Sequence, residues 1–334
     1  MNTRQEILSI PEALRATLTG GRPEFEALIR QTRLGHGPIF MVGCGSSYLV
    51  GLTGVYAFEG LLGRPVIARP ALDFRAYSAS TLATGSVVFA VSHSGESAGT
   101  IEAARAAHSR GAMVLALTGS TANSLAKLAD GVFQVRAGEE CGPRMKTVVC
   151  QQAALGYISV LAARILKRPQ REVEALEQEF EKLPGQVEWV LTQLQDAARS
   201  LALRLKELGS LGVAGGGFYC PTALQWALLV KKVSRMRVDG FEPSTFADSF
   251  ERLDPPAALV VASGSGCRLK KEVHRLAARC RKTRLQVFSV TDANDRELVD
   301  QSSLAVLLPV TSEVVGSTLT LALLDWVAYE ISGQ

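Results

Sequence analysis

A short apolar run that ends in glycine or serine and passes straight into a helix-forming stretch recurs along this chain. That order constrains the fold more than any other feature. "PIFMVGCGSSYLVGLTGVYAFEGLLG" is apolar from Ile39, turns through Gly and Ser, and becomes helical from about Ser47. "SVVFAVSHSGESAGTIEAARAAHSRG" and "AMVLALTGSTANSLAKLAD" repeat the unit, and "PVIARPALDF" and "GVFQV" add extended segments. Short, wholly apolar strands that alternate with helices are buried on both faces, which predicts a parallel, three-layer α/β sheet. Beyond a helical stretch from Met145 to about Lys206, broken at Pro184, the order returns. "SLGVAGGGFYCPTALQWALLVKKVSRM", "AALVVASGSGCRLKKEVHRLAARCRKT", "RLQVFSVTD" and "LAVLLPV" lead to the apolar helix "TLTLALLDWVAYEI". The second half thus repeats the first in order of elements more than in identity. The expected fold is α/β: two doubly wound three-layer α/β/α lobes with parallel sheets, joined by helices. The expected parts are an N-terminal helical segment (1–35), a first lobe (36–165), a helical connector (166–206) and a second lobe (207–334).

Composition narrows the function. A formal charge of +4 on 334 residues, with basic residues scattered, lacks the concentrated positive footprint of a nucleic-acid binder. The apolar runs "SVVFAV" and "AALVVA" reach about half of the ~18–20 residues of a membrane span, and "MNTRQEILSIPEALRATL" is charged throughout. The six cysteines contain no CxxC pair, and the four histidines stand far apart. That pattern suits reduced thiols in a soluble cytoplasmic protein, with no metal and no cofactor. The expected partner is a small molecule.

"VSHSGESAGT" is where that molecule is expected to bind. Its strand runs into Ser92, and the helix "GTIEAARAA" follows within a few residues. Backbone N–H groups of a glycine-containing turn at a helix N-terminus point outward with the positive end of the helix dipole, which suits a phosphate. Hydroxyls of Ser92, Ser94 and Ser97 can donate further hydrogen bonds, and Gly95 permits close approach. Serine is also a preferred N-cap, so a purely structural cap is the other reading of the same residues. A nucleophile elbow requires GxSxG, and dinucleotide or nucleotide sites require GxGxxG or GK[ST]; none of these is present. "GCGSSY", with Gly45, Ser46 and Ser47, repeats the pattern at the first strand end, and "LTGSTANSLAK", with Asn123 and Ser124, repeats it at the third. Neighbouring strands that all end this way form one polar crevice, where open α/β sheets bind ligands.

"VGCGSSY" and "VSHSGES" together resemble the sugar-phosphate-binding signature of the SIS (sugar isomerase) family. The repeated order, "EILSIPEALRATL" and "AGEECGPRMKTVVCQQAAL" resemble its tandem-domain branch, which includes the isomerase half of glucosamine-6-phosphate synthase and related sugar-phosphate deaminases and deglycases. The resemblance covers essentially the whole chain, and it is specific in the first lobe and loose in the second. It implies phosphate contacts at Ser47, Ser92, Ser94 and Ser97, with His93 where a glutamine is common, and a third-loop contribution near Asn123 and Ser124. It also implies a homodimer. No glutaminase domain is expected at the N-terminus.

The resemblance further implies an acidic residue on a second-lobe helix that moves a proton between C1 and C2, a ring-opening histidine and a lysine in a C-terminal tail. Here the sequence departs: Lys232 stands at the glutamate position, Thr245 at the motif glutamate and Asp248 at the histidine. A lysine-bearing tail after "AYEISGQ" is not expected. Lys232 reads as a solvated face residue beside Lys231, as a base with a burial-lowered pKa, or as a fixed cation for an anionic substrate. Asp248, Glu242 and Asp239 are carboxylates that could serve acid–base work or simply form turns. Glu96 is expected to hold its loop. The expectation is an isomerase or deaminase acting on a hexose or amino-hexose 6-phosphate through Lys232 or Asp248. The alternative is a non-catalytic sugar-phosphate sensor.

Overall fold

The computed structural model describes residues 2–32, 34, 37–245, 257–283 and 285–333. They form two compact units, one of residues 12–139 and 146–184, the other of residues 1–11, 140–145 and 185–334.

In the first unit five parallel strands form one sheet: β1 (Ile39–Gly43), β2 (Val66–Pro70), β3 (Val87–Val91), β4 (Met113–Thr118) and β5 (Gly131–Gln134), in the order β2-β1-β3-β4-β5. The central strands β1 and β3 are buried at every position. That is why they read as unbroken apolar runs rather than alternating ones. After two short N-terminal helices, α1 (Thr3–Leu8) and α2 (Ile10–Leu14), the helices of this unit are α3 (Arg22–Gln31), α4 (Ser46–Leu62), α5 (Ala71–Asp73), α6 (Ala98–His108), α7 (Ser124–Leu128) and α8 (Lys146–Ile165). Small residues let α6 lie close on one face of the sheet: Ala103, Ala104 and Ala107 pack with Phe40, Val42, Val88, Ala90 and Val114. On Phe58, Phe89, Phe133 and Phe25 a chain of ring contacts with centroids 5.2–5.9 Å apart fills another part of the core.

The helix α9 (Gln170–Gln193) contains Pro184 without interruption, contrary to the expected break. Proline removes one helical hydrogen bond, but Leu183 and Val187 beside it are fully buried, and that packing holds the helix together.

The second unit repeats the plan with β6 (Ser210–Gly215), β7 (Arg237–Phe241), β8 (Ala257–Ala262), β9 (Gln286–Asp292) and β10 (Leu304–Leu308). All are parallel, in the order β10-β9-β8-β6-β7. Counted along the chain, each sheet places its second strand outside its first, then its third, fourth and fifth. β7, with charged Arg237 and Asp239 and a single fully buried residue, Val238, carries no apolar run and was not anticipated. Helices α10 (Gln195–Lys206), α11 (Tyr219–Val233), α12 (Lys270–Arg281), α13 (Arg296–Asp300) and α14 (Glu313–Ser332) surround this sheet. The Trp226 indole on α11 donates to the Leu324 carbonyl on α14 at 2.6 Å, so two apolar helices meet around a satisfied polar atom.

Two helices, Lys146–Ile165 and Glu313–Ser332, are long and apolar enough to cross a membrane by length and composition, which the strand-length runs in the sequence did not suggest. Both are largely buried inside the fold, as core helices are.

Candidate functional site

With this strand order the chain leaves β1 toward β2 on one side and returns at β3 on the other, and such a switch opens a crevice at the carboxyl ends of the strands. The three serine-bearing turns of the first unit follow β1, β3 and β4, which are adjacent in the sheet. Pairing of Gly43 with Val91, and of Val91 with Leu117, sets the strand ends level.

The first turn bends at Gly45, whose φ of +54° suits a residue without a Cβ. Ser46 and Ser47 begin α4 half-buried, and no side chain caps this helix. The Ser47 and Tyr48 N–H groups already donate to the Cys44 and Gly45 carbonyls at 3.1 and 3.0 Å, so what this turn offers an anion is the serine hydroxyls and the positive end of the helix.

In the second turn Ser92 is buried and its Oγ accepts the Gly95 N–H at 3.2 Å, while the exposed Ser94 Oγ accepts the Glu96 N–H at 3.2 Å. Ser97 occupies the N-cap position of α6, yet its side chain makes no cap hydrogen bond. The Thr100 hydroxyl instead reaches Ser97 Oγ at 3.3 Å and Cys44 Sγ at 3.7 Å, tying the second turn to the first. Thr100 and Cys44 are site-forming residues that the sequence reading passed over; the Ser97–Thr100 spacing of one helical turn was the available signal.

The third turn is committed to structure. Asn123 Oδ1 accepts the Ala126 N–H at 2.8 Å, capping α7, and its Nδ2 donates to Thr118 Oγ1 at 2.7 Å. The exposed Ser124 gives its backbone N–H to Glu96 Oε1 at 2.9 Å. That N–H bond is the main reason the Glu96 carboxyl sits below the usual carboxylate range, so Glu96 is an anion that holds its own loop against α7. The His93 ring lies against Gly119, where a Cβ would fall 2.5 Å from the imidazole Cε1. The His93 carbonyl accepts from Gly119 N at 2.9 Å and Thr118 Oγ1 at 3.1 Å, which locks the second turn to the third.

The residues expected to do chemistry are placed differently. Lys232 is exposed in the last turn of α11, whereas the strand-end crevice of its own sheet faces the first turn of that helix. Its neighbour Lys231 pairs with Asp239 at 2.5 Å. Glu242 bonds the side chain of Ser244 and the backbone and hydroxyl of Thr245, which hold its carboxyl low and make it a local turn former. Asp248 lies outside the described residues.

The second unit has the same turn plan with different chemistry. Gly217, with φ +56°, takes the role of Gly45, and a Cβ on Gly215 would strike Tyr219 as one on Gly43 would strike Ser47. Where the first unit has Ser47, the second therefore has Tyr219, whose buried hydroxyl would lie 2.5 Å from a Cβ at Gly264 and at Gly316. Burial first, with nearby Cys267 and Asp292, keeps that phenol protonated. Asp292 accepts the Ser265 and Asn294 N–H groups at 2.7 and 2.9 Å, and Glu313 is raised by burial. Thr291 bonds Asp295 as Thr118 bonds Asn123, and Asp295 also holds His274 at 2.7 Å. This crevice is filled by a ring and lined with carboxylates. Among the described residues, no group of His, Cys, Asp and Glu is arranged to hold a metal.

Residues 36–161 match the family model described as "SIS domain". The chain is 26% identical over 332 residues to glutamine–fructose-6-phosphate aminotransferase (isomerizing) of Thermococcus kodakarensis, covering 98% of this chain and 54% of that protein. It is 34% identical over 247 residues to the same-named protein of Aeropyrum pernix, covering 71% of this chain and 39% of that one. The chain thus spans about half the length, or less, of these relatives. In fold it is similar to the C-terminal domain of glucosamine-fructose-6-phosphate aminotransferase from Francisella tularensis, with a TM-score of 0.88 at 20% identity, covering 98% of this chain and 94% of that one. It is also similar to tagatose-6-phosphate ketose/aldose isomerase from Escherichia coli, with a TM-score of 0.76 at 18% identity, covering 99% and 92%. The family match assigns residues 36–161, which carry the three strand-end turns, to the SIS domain family.

Proposed function

We propose that this protein binds a phosphorylated sugar at the strand ends of its first unit and acts as an isomerase or deaminase on a hexose or amino-hexose 6-phosphate, by proton transfer between C1 and C2. One observation carries the phosphate reading: Ser97 stands at the N-cap of α6 without capping it, beside Ser92, Ser94 and the uncapped start of α4 that carries Ser46 and Ser47. Two helix N-termini and a row of hydroxyls are thus left facing one crevice, and that combination attracts a phosphate. Asn123 and Ser124 support the cradle by holding the third turn in place. The reaction class comes from the relatives' names. The reading extends to a tandem SIS architecture with the domain limits given above, a homodimer and a soluble cytoplasmic location.

A second reading has its own support. Lys232 is exposed at the end of α11 remote from its strand-end crevice, an unsuitable place for a base that depends on burial. A sugar-phosphate sensor that keeps the cradle without acid–base chemistry fits that placement.

Incubation with glucosamine 6-phosphate or fructose 6-phosphate in deuterated water separates the two. Exchange at C1 or C2 that Lys232→Ala or Asp248→Asn abolishes supports the enzyme; binding by thermal shift without exchange supports the sensor. A phosphate located away from Ser47 and Ser92 in a ligand-soaked crystal sinks both.

A further inference from the structure

We propose that Thr100 is a positioning residue of the phosphate site: its buried hydroxyl donates to Ser97 Oγ and so leaves the Ser97 proton for a phosphate oxygen. The inference rests on the phosphate reading above and says how one of its hydroxyls is aimed. Thr100 lies one turn beyond Ser97 on α6 and is buried. A buried hydroxyl must find its partner inside the protein, and in a helix a threonine can turn back to a carbonyl three or four residues earlier. The partners of Thr100 are instead two side chains, Ser97 Oγ at 3.3 Å and Cys44 Sγ at 3.7 Å. It has one proton to give, and sulfur is the weaker acceptor. The Ser97 oxygen therefore receives that proton whenever Ser97 is itself drawn on as a donor.

What this does to Ser97 follows from the chemistry of a hydroxyl, which donates one hydrogen bond and can accept others. Ser97 stands at the N-cap of α6 without accepting a backbone N–H, so among the described residues its oxygen accepts only from Thr100. A serine oxygen that accepts from Thr100 turns its own hydrogen away from Thr100. That hydrogen is then free for an anion at the start of the helix, where the dipole favours negative charge. Hydrogen bonds in series polarise one another, so donation from Ser97 to a charged phosphate oxygen strengthens the bond behind it. At 3.3 Å the Thr100–Ser97 contact is long for two hydroxyls and has room to shorten. The corresponding helix of the second unit, α12, has Leu269 at its N-cap and Glu272 one turn on. The hydroxyl pair thus belongs to the unit that carries the serine turns.

Isothermal titration of the whole chain with fructose 6-phosphate tests this on wild type, Thr100→Val, Thr100→Ser, Ser97→Ala and the Ser97→Ala/Thr100→Val double variant, with thermal melts to establish that each is folded. Thr100→Val keeps the shape of the side chain and loses the hydroxyl, so it should weaken binding about three- to tenfold, the worth of one neutral hydrogen bond. Thr100→Ser keeps the hydroxyl and should bind within about twofold of wild type. In the Ser97→Ala background, Thr100→Val should cost no further affinity, because the residue acts through Ser97. An unchanged Kd for Thr100→Val overturns the inference while leaving the phosphate site standing. So does an equal loss in both backgrounds, which places the effect on Cys44 or on packing, and so does a Thr100→Ser variant as weak as Thr100→Val. If Thr100→Val does not fold, Thr100→Ala removes the same hydroxyl and carries the comparison. Ser97→Ala that binds as well as wild type removes Ser97 from the site, and Thr100 with it. Absence of binding in folded wild type overturns the phosphate reading itself.

Discussion

Gly95 is seated directly on Asn123: a Cβ at Gly95 would lie 2.0 Å from the Asn123 Cγ, and the backbone there has φ +66°. The second turn thus rests on the side chain that caps the third, and the two must form together. Gly95→Ala is expected to destabilise the protein by about 2–4 kcal/mol, from the left-handed backbone and the overlap combined. Asn123→Ala removes a cap and is expected to cost about 1 kcal/mol. Urea midpoints measure both, and a Gly95→Ala loss smaller than that of Asn123→Ala would contradict this seating.

Ser97 distinguishes a binding hydroxyl from a helix cap. Because its side chain makes no cap hydrogen bond, and the Thr100 hydroxyl keeps Cys44 Sγ as an acceptor when Ser97 Oγ is removed, Ser97→Ala should change stability by less than about 0.5 kcal/mol. Loss of a hydrogen bond to a charged phosphate costs about 1.5–3 kcal/mol, so affinity for fructose 6-phosphate should fall at least tenfold. An unchanged Kd with a lowered melting temperature would return Ser97 to a capping role.

The second crevice should not accept an anion. Tyr219 stands where the first unit has Ser47, and Asp292 and Glu313 line its surroundings. Carboxylates repel phosphate, and a buried ring leaves it no room. Native mass spectrometry with inorganic phosphate or fructose 6-phosphate should find one ligand per chain, and two per chain would refute the contrast between the crevices.

Asp325 on α14 is fully buried, and burial, with Glu140 nearby, raises its pKa well above the usual value. The folded chain keeps a proton there that the unfolded chain releases above about pH 4. This group's contribution is therefore most favourable below pH 4 and declines as pH rises toward the folded-state pKa. Asp325→Asn cannot ionise, so its stability relative to wild type should increase from pH 4 to pH 8. Denaturant titrations at both pH values measure this; a difference that does not change with pH would show that Asp325 ionises equally in both states.

Much of the fold was legible because parallel strands bury both faces and so must be apolar throughout, as Val87–Val91 and Ala257–Ala262 are. β7 escaped because Arg237–Phe241 is a half-exposed strand at the end of its sheet, with no such run to betray it. Pro184 misled because local propensity carries no knowledge of the burial of Leu183 and Val187 on either side of it in α9. The three serine turns could be found by eye, since a strand that ends in Gly and Ser before a helix announces its turn. The division of labour among them could not: Ser97 and Asn123 both look like caps in sequence, and only Asn123 is one.

By itself, then, the sequence determined that the chain would form parallel α/β layers with small hydroxyl residues at the strand ends. Periodicity and turn chemistry are local properties, written residue by residue. Tertiary structure alone decided that β1, β3 and β4 lie side by side, that Thr100 joins two turns through Ser97 and Cys44, and that Tyr219 fills in one unit the place Ser47 leaves open in the other. Those outcomes depend on strand order and on which side chains meet across it, and neither is encoded at any one position.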